Sequence, residues 1–191
     1  RQRQMCIRDS ARQLRKFYRN HNNKRFSIPV ANQLYLRSNF NEIIKKQVIE
    51  SPLLDSLYYR YSDLSYYLFK NYFERKYKKP LDDLVNEFLY QPLGLERTLF
   101  NPWKSIAKEE IVPSEIDDYF RHQELRGFVH DMGAAMQGGV GGHAGLFSTA
   151  EEVYKIMQMY LQKGNANGKQ FISSKTFDDF NNCYYCEQGN R

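Results

Sequence analysis

Apolar and polar positions along the chain fall into blocks whose period changes from strand-like to helix-like. Over 26–36 the alternation predicts strand structure, and Pro29, which has no N–H for a ladder, restricts it to an edge or an irregular start. From 39 to 50 the period is helical, with Ile43, Ile44, Val48 and Ile49 on one face. Ser51-Pro52 ends that helix, because the residue before proline is pushed out of the α region. A second helix is predicted from Ser62 to about Lys78, with Leu64, Tyr67, Leu68 and Tyr72 as its buried stripe. Pro80 closes it and is placed to open a third at the first helical position, which then carries Leu81, Leu84, Val85, Phe88 and Leu89 as far as Pro92. The clearest helix covers 149–163. Ser148 with Glu151 reads as its capping box, and Val153, Ile156, Met157, Tyr160 and Leu161 form its apolar face. Gly164 is placed to end it in the left-handed conformation. Between these blocks, 91–147 shows little periodicity, many glycines and several prolines, and so long an irregular stretch in a compact domain is usually functional.

Composition adds a packed core to this picture. Of 191 residues 41% are hydrophobic, with 15 tyrosines and 13 phenylalanines, which excludes a disordered tail. No apolar run approaches the roughly 18 residues that span a bilayer, so no membrane span is expected in this segment. The N-terminus lacks the charged-then-apolar pattern of a secretory signal.

The net charge of +6 invites a nucleic-acid reading until the charges are located. Arg1, Arg3, Arg8, Arg12, Arg15, Lys16 and Arg19 face a single acid, Asp9, within the first 20 residues. Positions 21–191 then hold 21 basic and 21 acidic residues. A nucleic-acid surface carries its basic residues on the folded domain, so no nucleic-acid partner is expected. Met5-Cys6-Ile7-Arg8-Asp9-Ser10 resembles the translation of a sequencing adaptor. Residues 1–10 are therefore read as an artefact of a reading frame cut at its 5′ side, and 11–191 as the partial domain.

Cys183 and Cys186 form a C-x-x-C pair with no second pair or histidine cluster to complete a tetrahedral site, so free or incidentally paired thiols are expected and no metal.

Four segments carry candidate chemistry. In order they are Tyr59-Arg60-Tyr61-Ser62-Asp63-Leu64-Ser65-Tyr66-Tyr67-Leu68, Pro92-Leu93-Gly94-Leu95-Glu96-Arg97-Thr98-Leu99-Phe100, Gly127-Phe128-Val129-His130-Asp131, and the glycine-rich run from Gly141 to Ala150. Together they resemble the penicillin-recognising serine hydrolases, which comprise class C β-lactamases, D,D-peptidases and related esterases. The matching family patterns are Y-x-Y-S-[ND]-L-G-Y-x-L, P-L-G-M-x-x-T-x-F, G-x-V-H-D and G-H-A-G-L-F-S-T-A. The resemblance is dense over 59–164 and extends more faintly over 26–191.

The resemblance implies a mixed α/β (α+β-like) fold, an antiparallel sheet with helices on its faces and a helical subdomain, of which this segment holds mostly the helical part. It implies an acyl-serine hydrolase of D,D-carboxypeptidase, esterase or β-lactamase type, needing no cofactor, whose substrate is a small molecule or a peptidoglycan peptide. Its serine and lysine, in S-x-x-K, are expected upstream of this segment, and Gly189-Asn190-Arg191 looks like the opening of the stretch toward the last catalytic strand. By resemblance Tyr61 is the general base. A phenol with a pKa of about 10 is a poor base at neutral pH, but a nearby ammonium favours the phenolate. Asp63 takes the asparagine position, and Gly142, His143 and Gly145 belong to an active-site loop. In the subgroup most similar to this sequence the domain is often fused to a β-N-acetylglucosaminidase-type glycosidase, which implies a periplasmic or extracellular location.

Two residues differ from the family's usual Tyr-x-Asn and glycine. Asp63, when ionised, only accepts hydrogen bonds where an asparagine amide also donates two, and its charge opposes phenolate formation at Tyr61. Ser65 stands where glycine is usual. Both keep a non-catalytic peptidoglycan-binding module of the same fold as an alternative. Ser105-Ile106-Ala107-Lys108 fits S-x-x-K literally, but it follows Tyr61 and sits in a loop region beside Pro102, where no helix places both side chains on one face. His130-Asp131 is more easily read as a loop-fixing pair than as base and orienter, since adjacent side chains rarely point the same way.

Overall fold

The computed structural model describes residues 16–52, 61–184 and 186–188. Strands β1 (Tyr18–Arg19), β2 (Phe26–Ala31) and β3 (Leu34–Arg37) form an antiparallel sheet in the order β1-β3-β2. The strand expected over 26–36 is therefore a hairpin, turned at Asn32-Gln33 with Gln33 at φ 51°. Pro29 lies on the edge strand, where its missing N–H disturbs no central ladder.

Helix α1 (Phe40–Ile49) packs Phe40 and Ile44 into a core with Tyr18, Val30, Leu36, Phe120 and Val129. Helix α2 (Leu64–Tyr77) ends at Lys78 in the left-handed conformation. Helix α3 (Leu81–Val85) is followed by a π-helical turn, Asn86–Tyr90, and a 3₁₀ turn, Gln91–Leu93. Pro80 proves to be the N-cap of α3, with ψ 151°, and not its first helical residue. Phe88, expected on the buried face, is exposed, because widening of the helix at 86–90 rotates it out of the α register.

The stretch 91–147 is more structured than its lack of periodicity suggests. Strand β4 (Leu99–Phe100) pairs with β7 (Leu146–Phe147), and β5 (Pro113–Asp117) forms a ladder with β6 (Gln123–Arg126). The short helix α4 (Met132–Met136) buries Ala134, Ala135 and Met136. Arg121, at the turn of the β5–β6 hairpin, is fully buried and bonds Asp117 at 2.5 Å while donating to the Val129 and His130 carbonyls. Burial pushes the Asp117 carboxyl up, but the Phe120 N–H and the Arg121 guanidinium outweigh it and hold it below the usual range.

Helix α5 (Ala150–Leu161) lies within the expected 149–163, but its cap is Thr149 instead of Ser148, and of the expected apolar face Val153, Met157, Tyr160 and Leu161 are exposed while Glu152 and Met159 are buried. Glu152 is thus the third residue of the helix. Its carboxylate accepts from the Glu96 and Arg97 N–H groups and from the Thr98 hydroxyl, tying down the Pro92–Phe100 segment. Gln162 is the C-cap of α5, and the left-handed turn expected at Gly164 begins one residue earlier, at Lys163 (φ 49°), with Gly164 (φ 84°) donating its N–H to the Met159 carbonyl. Strands β8 (Asn165–Ala166) and β9 (Lys169–Gln170) and helix α6 (Ser174–Asn181) follow. A second core joins Tyr90, Leu93, Leu95 and Met159. Cys183 and Cys186 form a disulfide. The architecture is the expected mixture of helices and small antiparallel sheets. Tyr59, Arg60, residues 1–15 and Gly189-Asn190-Arg191 lie outside the described residues.

Candidate active site

Tyr61, Ser62 and Asp63 lead into α2. The Asp63 carbonyl accepts the N–H groups of Tyr66 (3.0 Å) and Tyr67 (3.3 Å), and the Ser62 hydroxyl accepts that of Leu64 (3.3 Å). The Asp63 side chain makes no capping bond to α2. The Tyr61 ring is 66% exposed.

The inward face of α2 is not the apolar stripe that its sequence suggests. Leu64, Leu68 and Tyr72 are exposed, and the side chains turned inward are Tyr67, Lys70, Asn71 and Glu74. Lys70 is the one fully buried residue of the helix. Its Nζ donates to the carbonyls of Gln137 (3.3 Å) and Val140 (2.5 Å), and Glu74 lies 4.0 Å away. Burial lowers the Lys70 pKa, partly offset by the carboxylates of Glu74 and Asp82.

Those two carbonyls flank the start of the glycine-rich loop. Gly138 and Gly139 turn the chain at φ 82° and 81°. A Cβ on Gly139 would lie 2.1 Å from Asn101 Oδ1, and one on Gly145 2.3 Å from the Gly139 carbonyl oxygen. Asn101, itself left-handed at φ 50°, donates from Nδ2 to the Gly138 carbonyl at 2.9 Å. Gly142 lies directly on α2, where a Cβ would come within 2.8 Å of the Tyr66 carbonyl oxygen.

His143 connects the loop to α4. Its Nε2 lies 3.0 Å from Asp131 Oδ1, and the same oxygen caps α4 by accepting the Ala134 N–H at 2.7 Å. The bond to His143, more than any other contact, holds the Asp131 carboxyl below its usual range. The His143 ring is buried against Tyr67, centroid to centroid 4.9 Å, and among the described residues its Nδ1 has no hydrogen-bond partner. Burial, with the charges of Asp131 and Asp63, pushes the Tyr67 phenol up to about 12. Tyr67 is therefore a neutral wall of the site. His130 turns the other way, to Glu115 at 3.1 Å, so the adjacent His130 and Asp131 serve separate contacts.

The fold thus brings the helix that follows Tyr61 and Asp63 against the loop of Gly142, His143 and Gly145. Lys70 and Asn101 were not singled out from sequence, and Tyr67 was read only as one residue of the buried stripe of α2, of which it alone faces inward. For Lys70 a signal existed: Tyr67, Lys70, Asn71 and Glu74 share one helical face. Ser105 closes one 3₁₀ turn (Pro102–Lys104) and Lys108 opens another (Lys108–Glu110), so no common helix joins them. Two surface concavities, of about 290 and 680 Å³, lie along 82–100 and 94–155, and neither is lined by Tyr61, Asp63 or His143. Among the described residues no cluster of histidine, cysteine, aspartate or glutamate could hold a metal ion, and no helix is long and apolar enough to cross a membrane.

Comparison with known proteins decides the family. The family model described as Beta-lactamase matches residues 31–180. The chain belongs to the beta-lactamase family. The match takes in the helix after Tyr61, the Pro92–Phe100 segment and the glycine-rich loop. A putative D-alanyl-D-alanine carboxypeptidase of Escherichia coli K12 is 36% identical over 132 residues, covering 63% of this chain and 30% of the relative. An N-acetylmuramyl-L-alanine amidase of Bacillus subtilis 168 shows the same identity and coverage. A putative D-alanyl-D-alanine carboxypeptidase of Salmonella agona is 33% identical over 165 residues, 79% of this chain and 38% of the relative. The chain spans about a third of the length of these curated relatives. No solved structure matches it.

Proposed function

We propose that this beta-lactamase-family chain is part of an acyl-serine hydrolase of D,D-carboxypeptidase, esterase or β-lactamase type, with a cell-wall-related peptide, ester or amide as substrate. The observation that carries this reading is the docking of α2, which starts directly after Tyr61-Ser62-Asp63, on the loop of Gly142, His143 and Gly145. Tyr61 is the base that takes the serine proton, and Asp63 orients substrate and lysine beside it. The serine and its lysine come from an S-x-x-K helix outside 11–191, the residues we assign to the domain. The names of the relatives, two putative D-alanyl-D-alanine carboxypeptidases and an N-acetylmuramyl-L-alanine amidase, support a peptidoglycan peptide as substrate and a periplasmic or extracellular location. A glycosidase domain on the same polypeptide would fit that role.

The test is covalent labelling of the complete polypeptide by a fluorescent penicillin. Tyr61→Phe should slow acylation by a factor of about 10² or more, the usual contribution of a positioned acid–base group. Labelling at the same rate in the variant would remove Tyr61 from the mechanism. A second reading, a non-catalytic peptidoglycan-binding module, is favoured by Asp63 and Ser65 in place of the family's amide and glycine. It predicts retention on peptidoglycan with no covalent label.

A further inference from the structure

We propose that Lys70 is a positioning residue: its buried ammonium, by holding the carbonyls of Gln137 and Val140, fixes the glycine-rich loop against the helix that follows Tyr61-Ser62-Asp63. The assignment of this loop as an active-site wall rests on the function proposed above. The clamp itself rests on geometry alone.

Burying a lysine is costly unless its charge and donors are satisfied, and a methionine would fill the same space without that cost. The Lys70 side chain is 9% exposed and its nearest carboxylate, on Glu74, is 4.0 Å away, so an ion pair alone does not account for its position. The ammonium adds donors where the backbone lacks them. Gln137 closes α4, and the last carbonyls of a helix have no partner within it. Gly138 and Gly139 then turn the chain, which leaves successive carbonyls pointing away from any ladder. Lys70 takes those of Gln137 and Val140, and Asn101 takes the one of Gly138 between them. The Gly139 carbonyl is covered by Gly145. Three of these four carbonyls are thus held by side-chain donors, and the cation that holds two of them belongs to the helix opened by the candidate base. Charged groups facing Lys70 are Glu74 on the same helix and Asp82 on α3. Glu74 also accepts the Leu81 N–H at 3.0 Å, so the clamp reaches the start of α3.

Hydrogen exchange and penicillin acylation of the complete polypeptide test this together. In Lys70→Met the amides of 138–142 should exchange about ten-fold faster or more, the effect of losing a charged hydrogen bond, with α5 and the β1–β3 sheet unchanged. Lys70→Arg, which keeps the cation, should restore protection. Should Lys70→Met not fold, Lys70→Gln, which keeps a polar end, carries the same readout. Unchanged loop exchange in the folded variant overturns the clamp. In the acylation arm Lys70→Met should slow labelling and Lys70→Arg should rescue it. Loop release with unaltered labelling would overturn the positioning role. If the unaltered protein takes no label, the proposed hydrolase reading fails, and the exchange arm still decides whether Lys70 holds the loop.

Discussion

At the scale of single residues, the site depends on atoms that are absent as much as on those present. Gly139 sits at φ 81° with Asn101 Oδ1 where its Cβ would be, so Gly139→Ala should cost about 3 kcal/mol from strain and overpacking together. Gly94 provides the control. It is also left-handed, at φ 67°, but nothing lies within 4 Å of its would-be Cβ, and Gly94→Ala should cost only about 1 kcal/mol. Equal losses of stability in urea for the two variants would contradict the close packing of the loop. The Asp131 carboxyl makes a second residue-scale prediction. Its folded pKa is below the unfolded one, so the stability it adds is present above about pH 4 and is lost as the pH falls through the lower folded value. Asp131→Asn should therefore lower stability at neutral pH and flatten the acid limb of the stability curve. An acid limb identical to that of the unaltered chain would show that the His143 contact does not bias the carboxyl.

At the scale of elements, the helices were readable from period and punctuation, and their buried faces only in part. The bounds of helix α5 agree with its sequence pattern to within a residue or two, but of its expected apolar face Val153, Met157, Tyr160 and Leu161 are exposed, and the residues it buries are Glu152 and Met159. Its cap moved from Ser148 to Thr149, and the difference has consequences, because it makes Glu152 the residue that faces the Pro92–Phe100 segment. Glu152→Ala would leave two N–H groups and the buried Thr98 hydroxyl without this acceptor and should cost on the order of 3 kcal/mol, against about 1 kcal/mol for Thr149→Ala. Thermal denaturation of the pair checks the ranking, and a larger loss in Thr149→Ala would reverse the argument. Helix α2 departs from its pattern in the same way. Its apolar spacing pointed to Leu64, Leu68 and Tyr72, yet the fold turned Lys70 inward. Amphipathic spacing assumes that the buried partner is apolar, and here the partner is a loop whose free carbonyls need donors.

At the scale of the whole molecule, the chain covers about a third of the length of its relatives, and the chemistry is divided accordingly. The candidate base and the loop are in the described residues, and the proposed nucleophile is not. We expect residues 11–191, expressed alone, to hydrolyse neither a chromogenic ester nor a β-lactam. Turnover by that segment would mean that a serine within it is the nucleophile, with Ser105 the first to substitute. The sequence by itself determined the family, since four motifs in fixed order do not depend on how the chain packs, and it placed Tyr61, Asp63 and the glycine-rich loop as candidates. Only the tertiary structure decided which groups surround them. The contacts of Lys70 with Gln137 and Val140 span 67 and 70 residues, and the bond between His143 and Asp131 links two motifs that look separate along the chain. Periodicity records whether a segment can form a helix. Which carbonyl an ammonium meets is set by the packing of several elements at once, and no local pattern encodes it.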